Sequence, residues 1–329
     1  MNKQTYAKIT GIGIHLPEKI LTNRDLEKII DTSDEWIKTR TGIEERRIAG
    51  DGVFCTDLGA EAAKNALAMA GLSSAEVELI IVATITPDMI WPANACLIQA
   101  KISADNAVGF DVAAGCTGFI YALTVASQFI ETGTYKNALV IGTEVLSKIV
   151  NWDDRNTCVL FGDGAGAVVL QPSSGPSGIH ANYLGSDGKG ANLLNQPAGG
   201  TKIPASAQSI ENNLHTIHMN GNEVFKFAVR VIEEAAVKVL EMADYKKEDI
   251  DLFIPHQANM RIVDAAVKRL QFPPEKVLVN LNKYGNMSAA SIPVALYQAL
   301  EEGRLVSGNK VLLVGFGAGL TWGATVLEW

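Results

Sequence analysis

Cysteine is scarce in this chain, and what there is stands badly placed for a structural job. The four residues Cys55, Cys96, Cys116 and Cys158 lie far apart, with no CxxC pair and no His/Cys grouping at zinc-ligand spacing. Neither a disulfide framework nor a metal site is supported, and free thiols in a reducing, cytoplasmic setting are the expectation. Long apolar runs are missing too. Nothing approaches the 18 or more unbroken apolar residues of a membrane span. Met1–Leu16 shows no apolar core or cleavage pattern, so no signal peptide is expected. Basic charge is in deficit: 28 Lys and Arg against 36 Asp and Glu give a net −8, which argues against nucleic acid as the main partner. Charged residues reach only 19% while hydrophobic ones make up 47%, the balance of a core-rich globular protein. A length of 329 residues allows one large domain or two ordinary ones.

What the chain does have is a repeat of itself. Leu72–Thr84 lies over Tyr245–Gln257 without a gap, at an offset of 173 residues. The preceding helices match under the same offset: Glu61-Ala62-Ala63 falls on Glu234-Ala235-Ala236, and Leu67, Met69 and Ala70 fall on Leu240, Met242 and Ala243. Further on the match resumes with a slip of three. Cys116 opens an apolar helical stretch ending at Gly133, and Asn286 opens one ending at Gly303, each 17 residues later. Gly133 and Gly303 suit helix C-termini, where a left-handed residue is wanted. Two homologous α/β halves are therefore expected, 1–172 and 173–329, joined near the Pro/Ser/Gly-rich Gln171–Gly178, with a site where they meet.

Duplication gives meaning to the positions that differ. Cys116 and Asn286 fall at equivalent helix starts, and His256 ends a strand where Ala83 ends its counterpart. A cysteine among Ala and Gly is ordinarily a small buried hydrophobe. Here it sits in Ala113-Ala114-Gly115-Cys116-Thr117-Gly118, a setting that permits a sharp strand-to-helix turn. At a helix N-terminus the macrodipole favours thiolate, so a nucleophile that attacks thioesters is expected. A lone His is usually structural, but His256 follows a strand directly and precedes Gln257-Ala258-Asn259. Asn286 alone would pass for a helix N-cap. Its amide donates hydrogen bonds and cannot titrate, so with His256 it suits a developing enolate. Gly315-Phe316-Gly317-Ala318-Gly319 follows the last strand of the second half's repeat and can offer backbone N–H groups to an oxyanion. It is no phosphate loop, since no Lys-Ser/Thr follows. Phe161-Gly162-Asp163-Gly164-Ala165-Gly166 fails the dinucleotide pattern and is read as a tightly packed turn.

Cys, His and Asn in that order, on duplicated α/β halves, resemble the thiolase superfamily, and within it the β-ketoacyl-acyl carrier protein synthase III family. The likeness runs end to end, through Asp34–Ile43, AAGCTGF, FGDGAGA, Met219–Lys226, PHQAN, YGNMSAAS and FGAGLTWG. It implies an α/β, thiolase-like fold, with two duplicated halves packed as a five-layered αβαβα core. It also implies Cys116, His256 and Asn286 as the catalytic residues, and an oxyanion hole from the N–H groups of Cys116 and Ala318. Coenzyme A would lie against Trp36, Arg40, Arg155, Asn222 and Asn259. The implied reaction joins an acyl-coenzyme A primer to malonyl-acyl carrier protein with loss of carbon dioxide, and needs no metal or redox cofactor. An acidic carrier protein would dock on Lys226, Arg261 and Lys268, where a solvated helix face is the ordinary alternative. The family's acyl pocket is closed by an aromatic donated across a homodimer interface. That position falls on Trp91, whose bulk points to acetyl-coenzyme A as primer. Gly115, where Ala is common, is expected to add slight freedom beside the nucleophile. Rival readings are a Cys-His-Asn condensing enzyme of polyketide or quinolone type, a thioester hydrolase, and a non-catalytic homologue, the last disfavoured because all three polar residues are present.

Overall fold

The computed structural model describes residues 5–329. Among them, nine strands build two large sheets: β1 (Tyr6–His15), β2 (Leu79–Ala83), β3 (Val108–Val112), β4 (Ala138–Glu144), β5 (Gly164–Ser173), β6 (Gly178–Ser186), β7 (Leu252–Pro255), β8 (Lys310–Gly317) and β9 (Thr321–Glu328). The first sheet runs β1-β5-β4-β2-β3 and the second β7-β8-β9-β6. In the first, β2 lies parallel to β3 and β4, and β5 antiparallel to β4 and β1. The second repeats this, β7 being parallel to β8, and β9 antiparallel to β8 and β6. The counterpart of β3 shrinks to a single parallel bridge between Phe253 and Val277.

Helices fill three layers around these sheets. On the outer face of the first lie α2 (Cys55–Ala70) and α3 (Asn94–Ile102), which follow α1 (Asp34–Thr41) in the chain. Between the sheets lies α4 (Gly118–Glu131), and on the outer face of the second lie α5 (Gly221–Met242) and α6 (Met260–Leu270). The seventh, α7 (Ser291–Glu301), joins α4 in the middle. The result is the five-layered αβαβα order. Strands covered on both faces must be apolar at both parities. Accordingly Leu79, Ile81 and Ala83 face the middle layer while Ile80 and Val82 face α2 and α3. In β8, Val311 and Leu313 face inward while Leu312, Val314 and Phe316 meet α5 and α6. Removing one such side chain, for instance Leu123→Ala in the middle layer, costs about 2–5 kcal/mol.

The repeat read from the sequence is present in the backbone. One turn of 3₁₀ helix at Ser74–Glu76 has its counterpart at Lys247–Asp249. Gly71 and Asp244, at the same offset, are both left-handed, with φ of 67° and 54°. Gly133 and Gly303 end α4 and α7 at φ of 73° and 67°. The starts of these central helices abut: a Cβ on Gly118 would stand 3.2 Å from Ala83 Cβ and 3.6 Å from Ala289 Cβ. That contact brings the Cys116 turn of one half against the Asn286 turn of the other.

Candidate active site

Cys116 occupies a 3₁₀ turn, Gly115–Thr117, between β3 and α4, and is buried. Gly115 stands at φ +55°, and a Cβ there would lie 2.8 Å from the Ala318 nitrogen. In this backbone an L-residue at position 115 would be strained and would crowd Ala318, so Gly115 does more than add freedom. A Cβ on Gly317 would meet the Cys116 nitrogen at 2.5 Å. These two glycines let the loop after β8 press against the nucleophile's turn. Among the described residues the N–H groups of Cys116 and Ala318 have no backbone acceptor, which leaves both free to serve an oxyanion. The expected low-pKa thiol is not found. Burial pushes the Cys116 thiol up to about 12, outweighing the neighbouring donors that favour the thiolate.

His256 directly follows β7, its N–H donating to the Val314 carbonyl at 2.7 Å. Its ring is buried edge-on to Phe316, and burial lowers its pKa to about 3, so it is neutral at physiological pH. The Nδ1 atom lies 2.6 Å from Ser291 Oγ, and Nε2 has no partner. Asn286 is held through its backbone, donating to Leu160 and accepting from Gly162. The glycine at 162 permits this, because a Cβ there would overlap the Tyr284 carbonyl. The FGDGAGA segment is therefore the packed turn expected, and its function is to seat Asn286. The Asn286 side-chain oxygen accepts the Ser288 N–H at 2.8 Å, leaving the amide nitrogen as the donor.

Two cavities converge on Cys116. The larger, about 640 Å³, is lined at its mouth by Trp36, Arg40, Arg155, Asn222, Asn259 and Arg261, and at its depth by Cys116, His256 and Asn286. Three arginines and no carboxylate line it, so in a chain of net −8 its mouth is selectively cationic. The guanidinium of Arg155 stacks on Trp36 at 4.8 Å from the ring centroid, and Arg40 stands at 6.0 Å. The Asn259 side chain caps α6 through the Arg261 N–H and donates to the Arg40 carbonyl, so it ties α6 to α1 as it lines the wall. The smaller cavity, about 160 Å³, lies beyond the thiol among Ile85, Leu146, Ile149, Phe161, Ile217, Ser288 and Ala318.

Not every expected residue arrives. Trp91 is 81% exposed and lines neither cavity, beside the equally exposed Ile90. Lys226 is exposed and paired with Glu223 at 2.7 Å, an ion pair of little energetic weight. Arg261 stacks on Phe225 at the cavity mouth, and Lys268 lies exposed on the same helix. Sequence reasoning missed Ser288, Ser291 and Glu144. Both serines lie inside YGNMSAAS, two and five residues past Asn286. Glu144 was detectable as the one charge ending an otherwise apolar strand, and it is fully buried.

Comparison with known proteins agrees with this geometry. Residues 110–188 match the family model for 3-oxoacyl-[acyl-carrier-protein (ACP)] synthase III, and residues 240–329 match the model for its C-terminal part. The β-ketoacyl-[acyl-carrier-protein] synthase III of Caldanaerobacter subterraneus subsp. tengcongensis is 56% identical over 329 residues, covering 100% of this chain and 99% of the relative. The crystal structure of 3-oxoacyl-[acyl-carrier-protein] synthase III from Aquifex aeolicus superposes with a TM-score of 0.92 at 50% identity, covering 98% of this chain and 100% of that one. The priming β-ketosynthase of the R1128 polyketide pathway superposes equally well, with a TM-score of 0.92, but at 35% identity, covering 100% of this chain and 97% of that one. By residues, fold and relatives alike, the chain belongs to the β-ketoacyl-acyl carrier protein synthase III family of thiolase-fold condensing enzymes.

Proposed function

We propose that this enzyme condenses a short acyl-coenzyme A primer, acetyl-coenzyme A first among them, with malonyl-acyl carrier protein, giving the 3-oxoacyl-acyl carrier protein that initiates fatty-acid synthesis. The observation that carries this reading is the single cavity running from Trp36, Arg40 and Arg155 to Cys116, His256 and Asn286. Its cationic mouth suits the phosphates of coenzyme A, its length a pantetheine arm, and its end a thioester. In the first stage Cys116 Sγ attacks the acyl carbonyl, the N–H groups of Cys116 and Ala318 hold the oxyanion, and coenzyme A leaves. In the second, loss of carbon dioxide from the malonyl group gives an enolate. A Ser291 hydroxyl donating to His256 Nδ1 leaves the hydrogen on Nε2, so that Nε2 and the Asn286 amide both donate to the enolate oxygen. The carbanion then attacks the acyl group on Cys116. The steps as written call on no metal or redox cofactor.

The remaining parts of the reading follow from the same frame. Residues 1–172 and 173–329 are taken as the two halves, each with its own sheet. The exposed Trp91 closes the small cavity of a partner subunit in a homodimer, which keeps the primer short. Arg261 and Lys268, with Lys226 beside them, meet an acidic carrier protein at the cavity mouth. The cytoplasm supplies both substrates and keeps the four cysteines as free thiols. No helix among the described residues is long and apolar enough to cross a membrane.

The test is to incubate the protein with a panel of acyl-coenzymes A and weigh the Cys116 peptide. An acetyl adduct is expected, and no adduct from any of them overturns the reading. Full condensing activity with malonyl-coenzyme A alone would instead support the polyketide-type alternative, and a free acid without 3-oxoacyl product would support a hydrolase.

A further inference from the structure

Cys116 is buried with its proton on, and none of the residues assigned so far takes that proton. The thiol sits near 12, and His256, lowered to about 3, is a neutral ring too weakly basic to take that proton near neutral pH. Glu144 remains unused. It ends β4 fully buried, accepting from the Thr86 hydroxyl at 2.6 Å, the Thr84 hydroxyl at 3.2 Å and the Ile85 N–H at 3.2 Å. Among the described residues no cation pairs with it. Such a carboxyl is surrounded by donors yet uncompensated in charge.

Between Glu144 and Cys116 stands Ser288. β4 packs on the turn Ser288–Ala290 so closely that a Cβ on Gly142 would overlap the Ala289 carbonyl. Ser288 and Cys116 line the same small cavity. The Ser288 hydroxyl is near enough to favour the ionised form of each neighbour, yet it meets neither at full hydrogen-bond geometry. It is a buried hydroxyl without a hydrogen-bond partner, on a wall it shares with Cys116 and with Ile85, whose N–H Glu144 accepts.

We propose that Glu144, acting through the Ser288 hydroxyl, accepts the Cys116 proton as the thiol attacks the acyl carbonyl. The S–H bond breaks as the S–C bond forms. Ser288 takes the thiol proton and passes its own to the Glu144 carboxylate, so the hydroxyl is regenerated. The proton returns by the same route to the coenzyme A thiolate as it leaves. Glu144 is suited to this exchange because burial raises its pKa to about 7. The titratable groups facing it are Cys116 and, from α2, the Cys55 thiol, which burial holds near 12; Asp88 lies beyond Cys55 with its carboxylate on the Thr56 N–H. The proposal rests on Cys116 being the nucleophile.

The experiment measures single-turnover acylation of Cys116 by acetyl-coenzyme A, and in parallel its alkylation by iodoacetamide, across pH 5–9 for the wild type, Glu144→Gln, Glu144→Asp and Ser288→Ala. If Glu144 were only a neighbouring negative charge, Glu144→Gln would make the thiolate easier to form and both rates would rise. The relay predicts the opposite sign: Glu144→Gln slows acylation by on the order of a hundredfold and loses the acid limb centred near pH 7, while Glu144→Asp retains part of the rate. Ser288→Ala, which keeps the carboxylate, slows acylation likewise and decides the matter should Glu144→Gln fail to fold. Acylation as fast as the wild type's in either folded variant overturns the relay. A wild type that forms no acyl adduct at all would overturn the proposed function instead.

Discussion

The two central helices begin at equivalent points of a duplicated fold, each behind a 3₁₀ turn, and the residues in and before those turns have diverged. α4 starts at Gly115-Cys116-Thr117, tight enough to set a thiol beside Ala318. α7 starts past Asn286, whose N–H and carbonyl are clamped by Leu160 and Gly162 of the other half. In the proposed mechanism one half supplies the covalent bond and the other supplies neutral donors. Each is also completed by the opposite half: Gly317 and Ala318 press on Cys116, while Leu160 and Gly162 seat Asn286. Duplication thus provides two helix starts facing one another, and divergence of a few residues at each makes one site from two.

The largest expected effect tests that division. Cys116→Ala should abolish the acyl adduct and all condensation. Asn286→Ala should leave the adduct intact and cut condensation by roughly 10²–10³, the cost of losing one donor to a developing oxyanion. Mass spectrometry of the Cys116 peptide, run beside a condensation assay, separates the stages. An Asn286→Ala protein that fails to acylate would break the comparison.

The halves should also pull stability in opposite directions with pH. His256, in the second half, has its pKa lowered from 6.5 to about 3 by burial. The stability gained from keeping it neutral is fully present above pH 6.5 and is lost as pH falls toward 3. Glu144, in the first half, is raised from 4.5 to about 7. Its contribution is fully present below pH 4.5 and is lost as pH rises through 7. Urea midpoints measured from pH 3 to 8 should therefore flatten on the acid side in His256→Gln and on the neutral side in Glu144→Gln. Identical profiles in wild type and variants would remove the assignment.

A smaller effect concerns the cavity mouth. Arg155 stacks on Trp36, and in the proposed function the adenine of coenzyme A enters between them. Losing one cation–π contact is worth about 0.5–2 kcal/mol. Arg155→Ala should raise KM for acetyl-coenzyme A by roughly two- to thirtyfold with kcat little changed. A fall in kcat with constant KM would place Arg155 in the chemistry instead.

Much of this was legible beforehand because repeats and strand parity survive in sequence. The offset of 173 placed Leu252–Pro255 on Leu79–Val82. The expected equivalence of Cys116 with Asn286 is not met: the 3₁₀ turns Gly115–Thr117 and Ser288–Ala290 and the helix starts Gly118 and Ser291 keep the same offset, which sets Cys116 opposite Ala289, and the slip of three falls inside the helices. Three things were not legible. The thiol's pKa is raised by burial, which no local window reveals. Gly115 is pressed by Ala318, about two hundred residues away in sequence, a contact that no local window shows. Ser288 and Glu144 lie where β4 packs on a turn of the other half; a charge ends β4 in the sequence, but nothing near it names Ser288 as its neighbour. Trp91 shows the converse: its position was identified from resemblance, but a single chain leaves it in solvent.

The smallest effect sharpens the comparison at the level of the backbone. Gly71 and Asp244 end equivalent helices in the left-handed region, one without a side chain and one with a short polar one. For an L-residue that conformation costs about 1–2 kcal/mol, less for Asp, which bonds locally. Glycine avoids this but leaves the unfolded chain freer, by about 0.4–1 kcal/mol. A Cβ at Gly71 would meet nothing within 4 Å, so only the backbone decides. Gly71→Ala should then destabilise by about 1 kcal/mol, lowering Tm by about 2 °C. In Asp244→Gly the two terms nearly cancel, and Tm should hold steady. A Gly71→Ala protein as stable as the wild type would show that the first half's turn had relaxed out of the left-handed region, and that the two helix ends are less alike than their offset implies.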